Sequence, residues 1–187
     1  MKNVVVIIPA RMGSSRFPGK PLHPILGKPM IDYCIQNAAL AVGNQSTWVA
    51  TCDETIFQHV NGSGGNVVMT SVNHERASDR TAEAASLIES KTGKVIDIVV
   101  MLQGDEPLVD AAMIKTSFKP LVDDESILVS NLMAPIKTEK EFNDPNEVKV
   151  VTDLDSNALY FSREPVPSIW KLPGEVKMMK QVSTQLT

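Results

Sequence analysis

The chain has 187 residues, a formal net charge of -4 and an isoelectric point near 5.4. This length predicts one domain that buries about 70% of the surface of its unfolded chain. The acidic balance excludes a chain-wide field that attracts nucleic acid, and no apolar run approaches the length of a membrane span, so neither partner is expected. Two distant cysteines without metal-ligand spacing, and no signal-peptide pattern, predict a soluble cytoplasmic protein.

The first predicted element is the unbroken β-branched run at residues 4–8, VVVII. It lacks the alternation of a half-exposed strand, so it predicts a central strand of a parallel sheet that is covered on both faces. Pro9 is expected to end this strand, because proline donates nothing to the ladder. Apolar residues at helical spacing follow at residues 30–42, and Gly43 is a suitable helix end.

Short strands and helices then alternate along the chain. Further strands are predicted at residues 47–52, 67–69, 95–102, 127–133, 148–152 and 158–161, with a turn at 153–157. Further helices are predicted from about Glu54 with Asp53 as N-cap, at residues 81–89, and after Asp110. This alternation predicts an α/β fold with a Rossmann-like, doubly wound, mostly parallel sheet.

The loop that follows the first strand, at residues 9–20, carries glycines, hydroxyls and three cations. Ligands of open α/β sheets collect outside the carboxyl ends of strands, where Arg11, Arg16 and Lys20 fall. Close backbone approach, hydroxyl donors and fixed positive charge suit a polyanion such as a phosphate chain. The spacing matches neither a Walker A loop nor G-x-G-x-x-G. The alternative is a solvated basic connection.

A second loop, QGDEP at residues 103–107, follows the predicted strand 95–102. Asp105 is a hard oxygen donor suited to Mg²⁺, which typically takes one or two carboxylates plus phosphate oxygens. Gly104 is expected to allow close approach of a ligand, whereas the alternative for Asp105 is a solvated turn carboxylate. No histidine has zinc-site spacing, and surface or capping roles are expected for His23, His59 and His74.

Four stretches together resemble one enzyme family: IPARMGSSRFPGKPL at 8–22, QGDEPLV at 103–109, DPNEVKVV at 144–151 and ALYFSREPVP at 158–167. The first stretch is similar to the signature of sugar nucleotidyltransferases. The ordered set is similar to the 3-deoxy-manno-octulosonate (Kdo) cytidylyltransferases. The resemblance extends from the N-terminus to about Pro167.

The resemblance implies a nucleotidyltransferase domain of the nucleotide-diphospho-sugar transferase type at residues 1–167 and a divergent tail at 168–187. The family's C-terminal region is not identifiable, so a truncated or frameshifted copy is expected. The implied activity transfers CMP from CTP to the anomeric hydroxyl of Kdo or 8-amino Kdo, releases pyrophosphate, uses Mg²⁺ and serves lipopolysaccharide precursor synthesis, commonly in a homodimer. The alternatives are an acylneuraminate cytidylyltransferase and a non-catalytic CTP-binding fragment.

The resemblance also implies roles for individual residues. Catalysis would rest on Arg11, Lys20 and Asp105, with Asp105 as metal ligand. The implied CTP-binding residues are Ala10, Arg11, Ser14, Ser15, Arg16, Lys20, Ala77, Ser78 and Arg80. Gln103 and Arg163 match positions that contact the sugar acid, and an ion pair with Glu164 is the alternative for Arg163.

The stretch RASDR at residues 76–80 matches the family's S-G-T-D/E-R, with Arg and Ala in place of the first two residues. An additional role is helix capping, because Ser78 or Asp79 could open a helix at Thr81.

Overall fold

The structure is a computed structural model that describes residues 2–13, 17–168 and 179–186. In the last of these ranges, the side chain is described for Lys180 alone, and the other residues are described by their backbone. The chain forms two compact units, Met1–Ser130 with Thr184–Thr187, and Asn131–Ser183. The predicted boundary at Pro167 stays a prediction. Among the described residues, no helix is long and apolar enough to cross a membrane.

The strands of the first unit are β1 (Val4–Ala10), β2 (Pro24–Ile25), β3 (Lys28–Pro29), β4 (Thr47–Thr51), β5 (Asn66–Met69) and β6 (Ile98–Met101). Four of them form a parallel sheet in the order β5-β4-β1-β6. The last residues of a further strand, β10 (Met179–Leu186), pair antiparallel with β6. The helices are α1 (Met30–Val42), α2 (Glu54–Gly62), α3 (Ala77–Thr92) and α4 (Ala111–Asp123).

Helices cover both faces of this sheet, which confirms the predicted α/β architecture. Val6 and Ile8 of β1 pack in a buried cluster with residues of α1, α2 and α4. Val5 and Ile7 pack in a second cluster with residues of α3. Consecutive residues of a strand point to opposite faces, so the unbroken apolar run of β1 is explained by burial on both sides.

The prediction that Pro9 ends the first strand is wrong. Strand β1 continues to Ala10, and Pro9 lies opposite Ala50 of β4. The Ile7 carbonyl accepts from the Leu102 amide, so the odd-numbered residues of β1 present their peptide groups towards β6. Strand β6 ends at Met101, and its register partner is Ile7. The missing N–H of Pro9 therefore points past the end of β6 and breaks no ladder bond.

The capping prediction at residues 76–80 is also wrong. Helix α3 begins at Ala77, four residues before the predicted start, and Arg76 occupies the N-cap position without a side-chain hydrogen bond. Ser78 therefore lies in the first helical turn. The Thr81 hydroxyl instead donates to the Ala77 carbonyl at 2.9 Å, as hydroxyls inside a helix commonly do.

The second unit contains β7 (Asn131–Pro135), α5 (Glu139–Asn143), β8 (Lys149–Thr152), β9 (Ala158–Ser162) and the first residues of β10. Strands β8 and β9 form an antiparallel hairpin, and β8 also pairs with β10. The predicted turn at 153–157 is confirmed, with the Asp153 amide donating to the Asn157 carbonyl at 3.0 Å. Strand β10 was not predicted.

Candidate active site

A cavity of about 300 Å³ lies in the first unit, at the carboxyl ends of β1 and β6. Its lining combines four cations with two carboxylates, and it is the place where most of the predicted site residues meet. The lining residues are Pro9, Ala10, Arg11, Gly13, Lys20, Pro21, His74, Glu75, Arg76, Ala77, Arg80, Gln103, Gly104 and Asp105. A crevice with this excess of positive charge suits an anionic ligand.

The two strand-end loops meet through Lys20 and Asp105. The Lys20 ammonium lies 2.7 Å from a carboxylate oxygen of Asp105, and about a third and a half of the two side chains are exposed (35% and 46%). Half-exposed ion pairs contribute little to folding stability. Both charges therefore remain available to a ligand that enters the cavity.

Asp53 positions the start of the first loop. Its carboxylate accepts a 2.8 Å hydrogen bond from the Met12 amide, and the Met12 carbonyl in turn accepts from the Gly19 amide at 3.0 Å. Asp53 occupies the N-cap position of α2 as predicted, but its side chain makes no capping bond. Strands β1 and β4 are parallel neighbours, so the residues that follow them lie side by side and Asp53 reaches the loop instead of its own helix.

Gly104 brings the second loop against the end of β1. A Cβ atom built at Gly104 would lie 3.0 Å from the Pro9 carbonyl oxygen and 3.4 Å from the Ala10 Cβ. The sequence suggested a ligand as the close neighbour of Gly104, and the structure places the end of β1 there. The absence of a side chain sets the spacing between the two loops.

Helix α1 holds the second loop through two side-chain hydrogen bonds. The Cys34 thiol is buried and donates to the Gln103 carbonyl at 3.7 Å, and the Asn37 amide donates to the Pro107 carbonyl at 3.4 Å. Burial raises the pKa of the Cys34 thiol to about 12. Both cysteines are free thiols, and Cys34 stays protonated and unreactive at neutral pH.

One wall of the cavity contains a buried arginine. Arg80 is 3% exposed and donates to the Thr70 hydroxyl.

A carboxylate on the same helix pairs with a histidine of the cavity lining. The Glu83 carboxylate accepts from the Ser71 amide at 2.8 Å and lies 2.6 Å from His74 Nε2. The Ser71 amide and then His74 hold the pKa of Glu83 below its usual range.

His74 was missed as a site residue, because its partner is nine positions away on α3 and no motif spacing connects them. His59 similarly lies 2.8 Å from Asp32. His23 makes an edge-to-face contact with Phe17. Thus two of the three histidines pair with carboxylates.

Some predicted site residues lie elsewhere. Ser14, Ser15 and Arg16 fall outside the described residues, and Ser78 lies outside the cavity lining. Arg163 belongs to the second unit, where its guanidinium donates to the Pro145 carbonyl at 2.8 Å. The alternative role predicted for Arg163, an ion pair with Glu164, is not observed among the described residues.

Within the described ranges, no three His, Cys, Asp or Glu side chains are grouped as a metal cage. Asp105 supplies one carboxylate beside the cationic wall. This donor set fits Mg²⁺ held by one carboxylate together with phosphate oxygens, the arrangement common in nucleotide sites.

Comparison with known proteins agrees with this geometry. The family profile described as cytidylyltransferase matches residues 5–186. The chain belongs to the cytidylyltransferase family. A solved structure of CMP:2-keto-3-deoxy-manno-octonic acid synthetase complexed with CTP is similar, with a TM-score of 0.87 and 37% identity over 99% of this chain and 73% of that chain.

Curated cytidylyltransferases are also similar in sequence. The 3-deoxy-manno-octulosonate cytidylyltransferase of Geobacter metallireducens is 47% identical over 88% of this chain and 63% of its own length. The enzyme of the same name from Syntrophobacter fumaroxidans is 46% identical over 89% of this chain and 65% of its own length. The chain thus spans less than two thirds of the curated cytidylyltransferases that it matches.

Proposed function

We propose that this chain transfers CMP from CTP to the anomeric hydroxyl of a 2-keto-3-deoxy sugar acid, Kdo or 8-amino Kdo, and releases pyrophosphate. The observation that carries the proposal is the cavity at the ends of β1 and β6, where Arg11, Lys20 and Arg80 converge beside Asp105. Relatives named for this reaction, and a similar structure complexed with CTP, support the choice of nucleotide and sugar.

In the proposed reaction the anomeric oxygen bonds to the α-phosphorus of CTP. The bond between that phosphorus and the bridging oxygen breaks, pyrophosphate leaves, and the hydroxyl proton passes to water. Arg11 offers a planar fork to phosphate oxygens, whereas Lys20 offers a point charge that follows the leaving group. Alignment of the reactants and neutralisation of phosphate charge then account for catalysis without a covalent enzyme intermediate.

We also propose Mg²⁺ as cofactor, with Asp105 as its protein ligand. When bound, Mg²⁺ supplies positive charge that stabilises the phosphate oxygens as the α-phosphorus reacts. Lys20 exchanges its partner in this scheme, leaving Asp105 and binding the β- and γ-phosphates. The 2.7 Å pair thus keeps the two charged groups in place before the nucleotide enters.

The nucleoside end of CTP is assigned to Ala77 and Arg80, which line the same cavity. For the sugar acid we propose Gln103 and Arg163. A guanidinium binds a carboxylate with two parallel hydrogen bonds, which suits the acid group that distinguishes these sugars from neutral ones. A homodimer and a cytoplasmic location complete the proposal. The homodimer follows from the resemblance to the Kdo cytidylyltransferases, and the two free thiols fit a reducing compartment.

The test is pyrophosphate release from CTP and Mg²⁺ with Kdo, 8-amino Kdo and N-acetylneuraminate in parallel. Turnover with one of the first two sugars, lost in Asp105→Asn, is expected. Preferential turnover with N-acetylneuraminate would assign the chain to the acylneuraminate reaction. CTP binding without turnover of any sugar would overturn the proposal and leave a nucleotide-binding chain.

A further inference from the structure

Lys149 of β8 is a fully buried lysine in the second unit, with a relative exposure of 0%. Its ammonium donates to three backbone carbonyls, those of Asp144 at 2.6 Å, Glu147 at 2.9 Å and Arg163 at 2.8 Å. No carboxylate of the described second unit lies within ion-pair distance of this ammonium. Its three N–H donors are therefore all used on neutral backbone oxygens.

A buried charge of this kind is costly compared with an apolar side chain. The next residue of the strand, Val150, is also buried and points to the opposite face, so both faces of β8 are covered at this position and an apolar side chain could fill the space that Lys149 occupies. Burial alone thus does not account for a lysine here. What the ammonium adds is a set of three directed bonds that an apolar residue lacks.

These bonds join two segments that lie at the same end of the β8–β9 hairpin. Asp144 and Glu147 belong to the loop before β8, and Arg163 directly follows β9. The hairpin register places Lys149 opposite Ser162, so the lysine reaches both segments. The loop has internal bonds of its own, because the Asp144 carboxylate accepts from the Asn146 amide at 2.8 Å.

Arg163 is linked to this loop directly through its side chain and, by way of Lys149, through its backbone carbonyl. Its carbonyl accepts from Lys149, and its guanidinium donates to the Pro145 carbonyl at 2.8 Å. We propose that Lys149 is the positioning residue for Arg163, holding the 144–147 loop and the end of β9 so that the exposed guanidinium keeps one orientation. The role of Arg163 towards a sugar carboxylate rests on the function proposed above.

The structural part of the proposal is tested by amide hydrogen exchange on the 187-residue chain. Lys149→Met keeps the length of the side chain and removes all three donors. Exchange at residues 144–147 and 162–164 is expected to accelerate at least 10-fold while the rest of the second unit changes little. Val150→Ala is the matched control, because it weakens the same strand without touching the three carbonyls. A uniform acceleration in both variants, or none in Lys149→Met, would overturn the proposal.

The functional part is tested by steady-state kinetics below the melting temperature of every variant. Lys149→Met and Arg163→Ala are each expected to raise KM for the sugar acid about 10-fold, with KM for CTP within two-fold of the parent. The double variant Lys149→Met/Arg163→Ala should have the same KM for the sugar acid as Arg163→Ala alone. Lys149→Arg should raise this KM less than Lys149→Met does. Multiplicative effects in the double variant would refute the positioning role, because residues that act independently contribute additively in free energy.

The two proposals fail in different ways. If Arg163→Ala leaves KM for the sugar acid unchanged, the sugar contact assigned to Arg163 is wrong, yet the exchange experiment still decides whether Lys149 positions it.

Discussion

Lys20 and Asp105 come from loops 85 positions apart and meet at 2.7 Å. The pair joins a cation predicted to bind phosphate to the carboxylate predicted to bind metal. Lys20→Met should therefore weaken CTP binding about 10-fold to 100-fold, as expected for loss of a charged hydrogen bond, with little change in melting temperature. Titration calorimetry with CTP measures the first effect and thermal unfolding the second.

The chain contains its own control for this variant. Lys28 lies in the same Gly-Lys-Pro context as Lys20, but its ammonium donates to Gln36 at 2.6 Å and lies over the Tyr33 ring, away from the cavity. Lys28→Met should leave CTP affinity unchanged. Equal losses in the two variants would show that overall charge, and not the position of Lys20, governs CTP binding.

Asp53→Ala should raise KM for CTP several-fold, because the Met12 amide loses the acceptor that holds the first loop. Asp110→Ala is the comparison, since Asp110 caps α4 through the Met113 amide at 2.8 Å. It should lower stability by about 1 kcal/mol, or about 2–4 °C in melting temperature, without changing KM. An unchanged KM in Asp53→Ala would contradict the assigned role in loop positioning.

Gly104→Ala should destabilise the chain by about 1–3 kcal/mol, the usual cost of overpacking, because its Cβ would lie 3.0 Å from the Pro9 carbonyl oxygen. Pyrophosphate release should fall with it, since Asp105 moves with the loop. Gly62→Ala meets nothing within 4 Å at the end of α2 and should be neutral or stabilising by up to about 1 kcal/mol. Chemical denaturation of both variants makes the comparison, and equal stabilities would refute the close contact.

The lowered pKa of Glu83 predicts that the stability of the fold depends on pH. The Ser71 amide and then His74 lower the pKa of Glu83 in the folded chain below its ordinary value of 4.5. The folded state thus binds the Glu83 proton less readily than the unfolded state. The ionised carboxylate therefore stabilises the folded chain above pH 4.5, and this stabilisation is lost as pH falls through the folded pKa. Glu83→Gln should show a smaller loss of melting temperature between pH 6 and about pH 3 than the parent. A parallel loss in both would exclude Glu83 as a contributor.

Most of the fold could be predicted because its signals are local. The apolar run of β1 requires burial on both faces, and α1 spans the predicted residues 30–42. Strand β10 was missed because its polar residues carry no periodic pattern, and its pairing partners lie in β6 and β8 far along the chain. The strand through Pro9 was missed because proline is tolerated there only where its missing N–H has no partner, and that depends on where the neighbouring strand β6 ends.

The α/β class, the cationic loop after β1 and the acidic loop after β6 can be predicted from local patterns, because periodicity and turn chemistry act over a few residues. Which of those groups meet depends on how the separate elements pack. Asp53 binds Met12 instead of capping α2, His74 pairs with Glu83, and Lys149 binds three carbonyls. Each of these partners is set by the packing and register of separate elements, and contacts made across such distances leave no local pattern in the chain.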